Sequence, residues 1–309
     1  MRIAILDAHT SNPGDLSWGP VAALGELAVF EHTLPEQIVE RSLDAELLLS
    51  NKTVLGCAEI EALPALRYIG LLSTGYNVVD LQAARARGIP VTNIPAYSTA
   101  SVAQQVFALL LELTNQTRLH SDSVRAGDWA RGRDFSYQLA PLTELAGKTM
   151  GIIGFGRIGQ AVAGIARAFG MRVLAHDPAQ QLEPLEIVLR QSDVLSLHCP
   201  LTPETQGLIN RATLATMKPG AILINTSRGP VLNEADVAAA LHSGQLGALA
   251  ADVLSTEPPG EDNPLLTAPR CILTPHISWA TKEARARLIS IAADNIRAFL
   301  AGNPTNVVN

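Results

Sequence analysis

The chain has 309 residues, 47% hydrophobic and 17% charged, a globular composition long enough for two domains with a core each. Its formal charge of -6 leaves no broad basic face, which excludes nucleic acid or an anionic membrane as the main partner but not a small anion held by one or two local cations. Cys57, Cys199 and Cys271 are far apart and in no CxxC pair, so neither a disulfide framework nor a zinc knuckle is expected, and a reducing, cytoplasmic compartment fits.

The N-terminal MRIAILDAHT has only a short apolar run before Asp7 and reads as a first strand rather than a secretory signal. RIAIL (2–6), LAVF (27–30), AELLLS (45–50), RYIGLL (67–72) and IPVTN (89–93) are strand candidates. Helical pieces such as LPEQIVER and LQAARARG separate them, the second closing on Gly88. This alternation predicts a parallel sheet covered on both faces. Residues 98–118 carry Val102, Val106, Leu109, Leu110 and Leu113 at helical spacing, with Ser98, Thr99 or Ser101 able to cap the start. That helix suits a domain connection or a partner subunit as well as an internal core. Its most apolar run, VFALLLEL, is broken by Glu112 and too short to span a membrane.

A second alternation starts at Lys148: KTMGIIG, MRVLAHD, SDVLSLH, AILINTS, GALAADV and CILTPH are six strand candidates with helical stretches between them. Six strands with crossovers match a doubly wound nucleotide-binding architecture. TKEARARLISIAADNIRAFLAG then forms one more amphipathic helix, with Leu288, Ile291, Ile296 and Leu300 among its apolar positions. No strand follows it, so it is free to return to the first domain.

GFGRIG (154–159) follows the apolar MGII and precedes Ile158, Val162, Ile165 and Phe169 at helical spacing. In such a turn Gly154 makes the bend, Gly156 lets backbone approach a pyrophosphate and Gly159 lets helix pack on strand. A glycine-rich strand-to-helix turn without a ligand is the alternative. Asp177, about 20 residues on at the end of the next strand, decides for a ligand: its carboxylate suits ribose hydroxyls and opposes a 2'-phosphate, which predicts NAD over NADP.

Nicotinamide chemistry on a ketone needs a proton donor at the oxygen and a cation beside it. His9, His32, His120 and His242 lie in stretches without other chemistry and read as surface or structural groups. His176 neighbours Asp177, and His198 is placed to line the adenine side. His276, at the carboxyl end of the last strand candidate, stands where ligands bind in open α/β sheets. Glu257 is a carboxylate able to orient His276 and favour its charged form. Arg228 offers a planar fork for a carboxylate with an adjacent keto oxygen. Taken singly, Glu257 and Arg228 would read as surface charges.

In order, STGYNVVD, IPAYSTASVA, GFGRIG, HD, HCPLTPET, INTSRG, DVLSTEPP and TPHISWAT resemble the D-isomer-specific 2-hydroxyacid dehydrogenase family over nearly the whole chain. The resemblance implies a catalytic set Arg228, Glu257 and His276. It implies a cofactor lining of Thr74, Gly154, Gly156, Arg157, Ile158, Gly159, Asp177, His198, Cys199, Pro200, Thr226, Ser227, Asp252 and His276. The substrate carboxylate would meet backbone amides around Ser73, Thr74 and Gly75, a stretch that alone reads as a turn after a strand. Trp279 would wall the substrate pocket, although an exposed Trp at a helix start is equally consistent.

The family's fold implies two doubly wound parallel-sheet α/β domains. A flavodoxin-like substrate domain (1–98 plus 282–309) would hold an inserted Rossmann NAD domain (99–281). SNPGDLSW, NKT and PHISWA look most like glycerate dehydrogenases, also called hydroxypyruvate reductases, and 309 residues leave no room for a C-terminal regulatory domain. A small 2-keto acid, hydroxypyruvate or glyoxylate, NAD as cofactor and a homodimer are the implied partners, with no nucleic acid, membrane or metal. Pro230 after SRG departs from the usual small or aliphatic residue and could tighten the Arg228 loop. The alternative of another class is an NAD-sensing, corepressor-like binding protein with little turnover.

Overall fold

The computed structural model describes all residues from Met1 to Asn309. The chain divides into two compact units, Met1–Ser98 with Ala280–Asn309, and Thr99–Trp279. No helix is long and apolar enough to cross a membrane.

The first unit holds β1 (Arg2–Ile5), β2 (Glu26–Val29), β3 (Leu47–Ser50), β4 (Tyr68–Leu71) and β5 (Val91–Thr92). They form one five-stranded sheet in the order β2-β1-β3-β4-β5, and every pairing is parallel. This is the flavodoxin-like order, which reverses direction between β1 and β3. β3 and β4 are buried at every position, as a parallel strand covered on both faces must be, whereas the edge strand β2 is largely exposed. The helix Leu81–Ala86 starts where the Asp80 carboxylate accepts the N–H groups of Gln82 and Ala83, and Gly88 follows its end at φ +66°.

The terminal helix Lys282–Leu300 packs on β4 and on the short helix Gly19–Ala22 of the same unit. Its apolar face buries Leu288, Ile289, Ala292 and Ile296, and Phe299 meets the buried Tyr68 ring at 4.9 Å. Arg285 grips the Asp15 carboxylate with both terminal nitrogens, at 2.6 and 2.8 Å. This bidentate pair and the Asn295 donation to the Asn93 carbonyl register the helix along the unit.

In the second unit β6 (Thr149–Ile153), β7 (Arg172–His176), β8 (Val194–Leu197), β9 (Ala221–Asn225), β10 (Leu246–Ala251) and β11 (Cys271–Leu273) form a six-stranded parallel sheet in the order β11-β10-β9-β8-β6-β7. The order reverses between β6 and β8. A full dinucleotide fold has three strands on each side of this reversal; here β7 is the edge, and residues 177–184 run as turn and coil into the helix Leu185–Gln191.

Side chains of β9 alternate between two cores, Ala221 and Leu223 in one, Ile222 and Ile224 in the other. The second core is covered by the helices Thr99–Asn115 and Arg157–Ala168. Val106 and Leu110 of the first of these are wholly buried, so this long helix serves the core of its own unit. Ser101, one of the expected capping residues, is instead buried within that helix and donates its hydroxyl to the Ser278 carbonyl at 2.6 Å.

Candidate active site

The glycine turn joins β6 to the helix Arg157–Ala168, and its three glycines can be separated by what a methyl group would meet. On Gly154, at φ +89°, a Cβ would lie 2.5 Å from the Cys199 nitrogen. On Gly159 it would lie 2.2 Å from the Gly154 carbonyl oxygen, so this glycine is the close contact between helix and strand. On Gly156 it would project into open space. That open approach, at the start of a 12-residue helix with free N–H groups, suits a phosphate. Arg157 is exposed there and Ile158 half-buried.

Asp177 directly follows β7 and turns back onto the glycine loop, accepting the Phe155 N–H at 2.8 Å and the Ala179 N–H at 3.0 Å. Across the reversal, the segment after β8 carries His198, Cys199 and Pro200. His198 shares a hydrogen bond with the Ser196 hydroxyl at 2.9 Å. Loss of water around this partly covered ring pushes it down to about 4, so it is neutral near pH 7. Burial pushes the Cys199 thiol up to about 11, so it stays protonated.

After β9, Asn225 organises the turn. Its side-chain oxygen accepts both the N–H and the hydroxyl of Ser227, and its amide donates to the Arg228 carbonyl at 2.9 Å. Thr226 is buried with its hydroxyl lacking any partner, an orphan polar atom of the kind a bound ligand satisfies. Arg228 is exposed and donates to the Ser227 carbonyl at 2.7 Å. The short 3-10 turn Gly229–Val231 follows at once. Pro230 lies in that turn, and its carbonyl accepts the Gly207 N–H at 2.8 Å.

Gly229 is the contact that sequence reasoning missed. A Cβ here would overlap the Leu254 carbonyl, 1.9 Å from its carbon, so the Arg228 turn lies against the backbone of the loop after β10. That loop carries Glu257, whose Oε1 accepts the Leu254 N–H at 3.1 Å. Glu234, at the start of the helix Glu234–Ser243, anchors the same loop through the Ser255 N–H and the Asn263 amide, at 2.7 and 2.9 Å. Neither Gly229 nor Glu234 carries a motif that marks it; a glycine directly after the arginine was the only available signal.

Nδ1 of His276 lies 2.7 Å from Oε2 of Glu257. The ring is therefore oriented through one nitrogen, leaving Nε2 for a substrate atom. His276 itself adopts φ +56°, a left-handed conformation uncommon outside glycine. What holds it is Asp252, the residue after β10. The Asp252 carbonyl accepts the His276 N–H at 2.8 Å. Its carboxylate, fully buried, accepts the Thr274 hydroxyl and the N–H groups of Ile277 and Ser278, at 2.5, 2.9 and 2.8 Å. Asp252 was expected along the cofactor; in the structure its carboxylate is engaged by the loop that presents His276. Trp279 is half-buried three residues after His276.

In the first unit, the loop after β4 carries the remaining expected residues. The Ser73 hydroxyl donates to the Gly75 carbonyl, the Thr74 hydroxyl to the Ile94 carbonyl and the Asn93 amide to the Thr74 carbonyl, at 2.7, 2.8 and 2.8 Å. Carbonyls and hydroxyls are thus engaged, and the polar edge left over is made of N–H groups, the donors a carboxylate needs.

A glycine turn open only at Gly156, an acid beyond the next strand and an orphan threonine hydroxyl fit a dinucleotide, and the Arg228, Glu257 and His276 loops fit hydride-transfer chemistry. Residues 107–278 match the family described as D-isomer specific 2-hydroxyacid dehydrogenase, NAD binding domain. The chain is 49% identical to a hydroxypyruvate reductase of Blautia hydrogenotrophica across 100% of both chains. It is 44% identical to a glycerate dehydrogenase of Methylorubrum extorquens, over 89% of this chain and 88% of that one. The crystal structure of the TT0316 protein from Thermus thermophilus superposes with a TM-score of 0.88 at 36% identity, covering 100% of each chain. Motif order, strand order and site geometry agree with these similarities, and the chain belongs to the D-isomer-specific 2-hydroxyacid dehydrogenase family.

Proposed function

We propose that the protein is an NAD(H)-dependent D-2-hydroxyacid dehydrogenase that reduces hydroxypyruvate or glyoxylate to D-glycerate or glycolate. The observation that carries the reading is the His276–Glu257 pair at 2.7 Å, set on a left-handed residue and backed by the turn that bears Arg228.

Bound NADH supplies the hydride that C2 of the keto acid receives. Nε2 of His276 donates the proton that turns the carbonyl oxygen into a hydroxyl, and the Glu257 carboxylate balances the charge of the imidazolium before that transfer. Arg228 holds the substrate carboxylate and polarises the carbonyl. The N–H groups of Ser73, Thr74 and Gly75 are assigned to the same carboxylate, and Trp279 to the wall that favours a small substrate.

For the cofactor, the amide edge at Gly156, Arg157, Ile158 and Gly159 takes the pyrophosphate, and Asp177 takes the ribose hydroxyls. The negative charge of Asp177 supports NAD over NADP. Thr74, His198, Cys199, Pro200, Thr226 and Ser227 line the rest of the dinucleotide site, with Asp252 acting through the loop it holds. We further assign a homodimeric state and a cytoplasmic location. The first is supported by exposed apolar side chains on residues 119–135, Leu119, Val124, Trp129 and Phe135, and the second by three free cysteines.

NADH oxidation measured with hydroxypyruvate, glyoxylate, pyruvate and 3-phosphohydroxypyruvate tests the reading. Turnover is expected with the first two above the others, and no turnover on any of the four overturns it.

A further inference from the structure

His9 and His32 read in the sequence as surface or structural groups, yet the sheet order brings them together. His9 lies in the short helix Ala8–Ser11 that follows β1, and Glu31 and His32 follow β2, which pairs with β1. The ligand atoms of His9, Glu31 and His32 all lie within 4.8 Å of one another. Nδ1 of His9 is 3.4 Å from Oε2 of Glu31, and the two imidazole rings have centroids 4.8 Å apart. All three side chains are exposed.

The backbone beneath them is fixed. The N–H groups of Ala8 and His9 donate to the carbonyls of Phe30 and Glu31. The Thr33 hydroxyl donates to the Leu6 carbonyl, and Arg41 donates to the His32 carbonyl, each at 2.5 Å. The Arg41 guanidinium lies over the Phe30 ring, 4.7 Å from its centroid. The backbone that carries the three groups is thus already ordered, which leaves mainly their exposed side chains to be fixed on binding.

We propose that His9, Glu31 and His32 form a binding site for a divalent first-row transition ion, Zn2+ or by the same ligand chemistry Ni2+ or Cu2+, with water completing its shell. Two imidazoles and one carboxylate are the nitrogen and oxygen donors these ions favour, whereas Ca2+ and Mg2+ call for more oxygens. Zn–N bonds of about 2.0–2.1 Å place tetrahedral ligand atoms roughly 3.3 Å apart. The His9–Glu31 pair already stands at 3.4 Å. The ion ties the segment after β1 to the segment after β2. It thereby staples the exposed edge strand of the sheet.

The test uses the untagged full-length protein, stripped with a chelator and titrated calorimetrically with ZnCl2 while Tm is followed in parallel. One equivalent bound with micromolar affinity and a Tm that rises with ion concentration are expected. His9→Ala and His32→Ala should each weaken binding at least tenfold and remove the Tm rise, while the His242→Ala control keeps both. Circular dichroism checks that the variants fold, and because no readout involves turnover, the outcome is independent of the dehydrogenase reading. No saturable binding at millimolar Zn2+, or unchanged binding in His9→Ala, overturns the proposal.

Discussion

Replacing Asp252 by Asn removes a charge from a fully buried position and changes one acceptor into a donor. In the structure one carboxylate oxygen takes the Thr274 hydroxyl and the Ile277 N–H, and the other takes the Ser278 N–H. An amide can be placed two ways, and each leaves one backbone N–H facing an NH2 group. Losing a hydrogen bond to a charged acceptor is worth roughly 1.5–3 kcal/mol, and an unsatisfied buried donor costs about 1–3 kcal/mol, so a net loss of about 3 kcal/mol is expected. Against a domain stability of about 5–15 kcal/mol that is readily measured by urea unfolding of the cofactor-free protein. If the loop relaxes instead, His276 moves; a displacement of about 1 Å lowers kcat/KM on the order of 10²-fold. Stability within about 0.5 kcal/mol of the parent, together with unchanged kcat/KM, would refute the claim that Asp252 holds this loop. A rise in KM for NADH alone, at parental stability, would move Asp252 to the cofactor.

Six further substitutions, in four tests, separate the remaining parts. Gly159→Ala places a methyl group 2.2 Å from the Gly154 oxygen and should lower Tm, whereas Gly156→Ala projects into open space and should keep Tm but raise KM for NADH; equal Tm losses would contradict the division of labour. His276→Ala and Glu257→Gln should each lower kcat/KM, by roughly 10²–10⁴ for the histidine, and near-normal turnover in His276→Ala would remove it as the proton donor. Asp177→Ala should raise KM for NADH and narrow the preference over NADPH, so an unaltered ratio of the two efficiencies counts against a ribose contact. His198, held down at about 4 from an ordinary 6.5, takes up its proton later than the unfolded chain does. The stability its neutral ring contributes is complete above pH 6.5 and falls as pH drops toward 4, so urea midpoints should decline less steeply over that range in His198→Gln; parallel slopes would deny it that role.

Strands were legible because a parallel sheet covered on both faces demands uninterrupted apolar runs: LLLS, TMGII and AILIN are buried at every position. Their ends fall a residue or two inside the apolar runs, as at β5, where IPVTN yields only Val91–Thr92. The geometry of the glycine turn was legible for the same local reason, since a bend at Gly154, an open position at Gly156 and a close contact at Gly159 fall within six residues. What could not be read is whatever depends on strand order. His9 meets His32 because β1 pairs with β2, and Gly229 meets Leu254 because β9 lies beside β10. The missing third strand beyond β7 has a similar origin: nothing in residues 177–184 alone says on which side of β6 the next strand will lie.

One device recurs at the carboxyl edges of both sheets and explains why only some of these acids are open to a ligand. An aspartate just past the end of a strand accepts N–H groups from the loop that follows the neighbouring strand. Asp7 after β1 takes Asn51, Lys52 and Thr53 beyond β3; Asp177 after β7 takes Phe155 beyond β6; Asp252 after β10 takes Ile277 and Ser278 beyond β11. Parallel strands end with their last carbonyls paired, while the loops leaving them carry N–H groups that no strand can satisfy, and a short carboxylate reaches across about one strand spacing of 4.8 Å to collect them. Asp193 performs the reverse service at the amino edge, where it accepts the Thr149 N–H and pairs with Lys218. The three carboxyl-edge aspartates differ in what covers them. Asp7 and Asp252 are 8% and 0% exposed, so they act as structural clamps on the loops they hold. Asp177 directly follows the outermost strand and is half-buried. Its clamp on Phe155 sets the glycine turn, while the Ala179 N–H and the Gln180 amide meet the same carboxylate on its more open side, and that setting is what supports the ribose contact proposed for it.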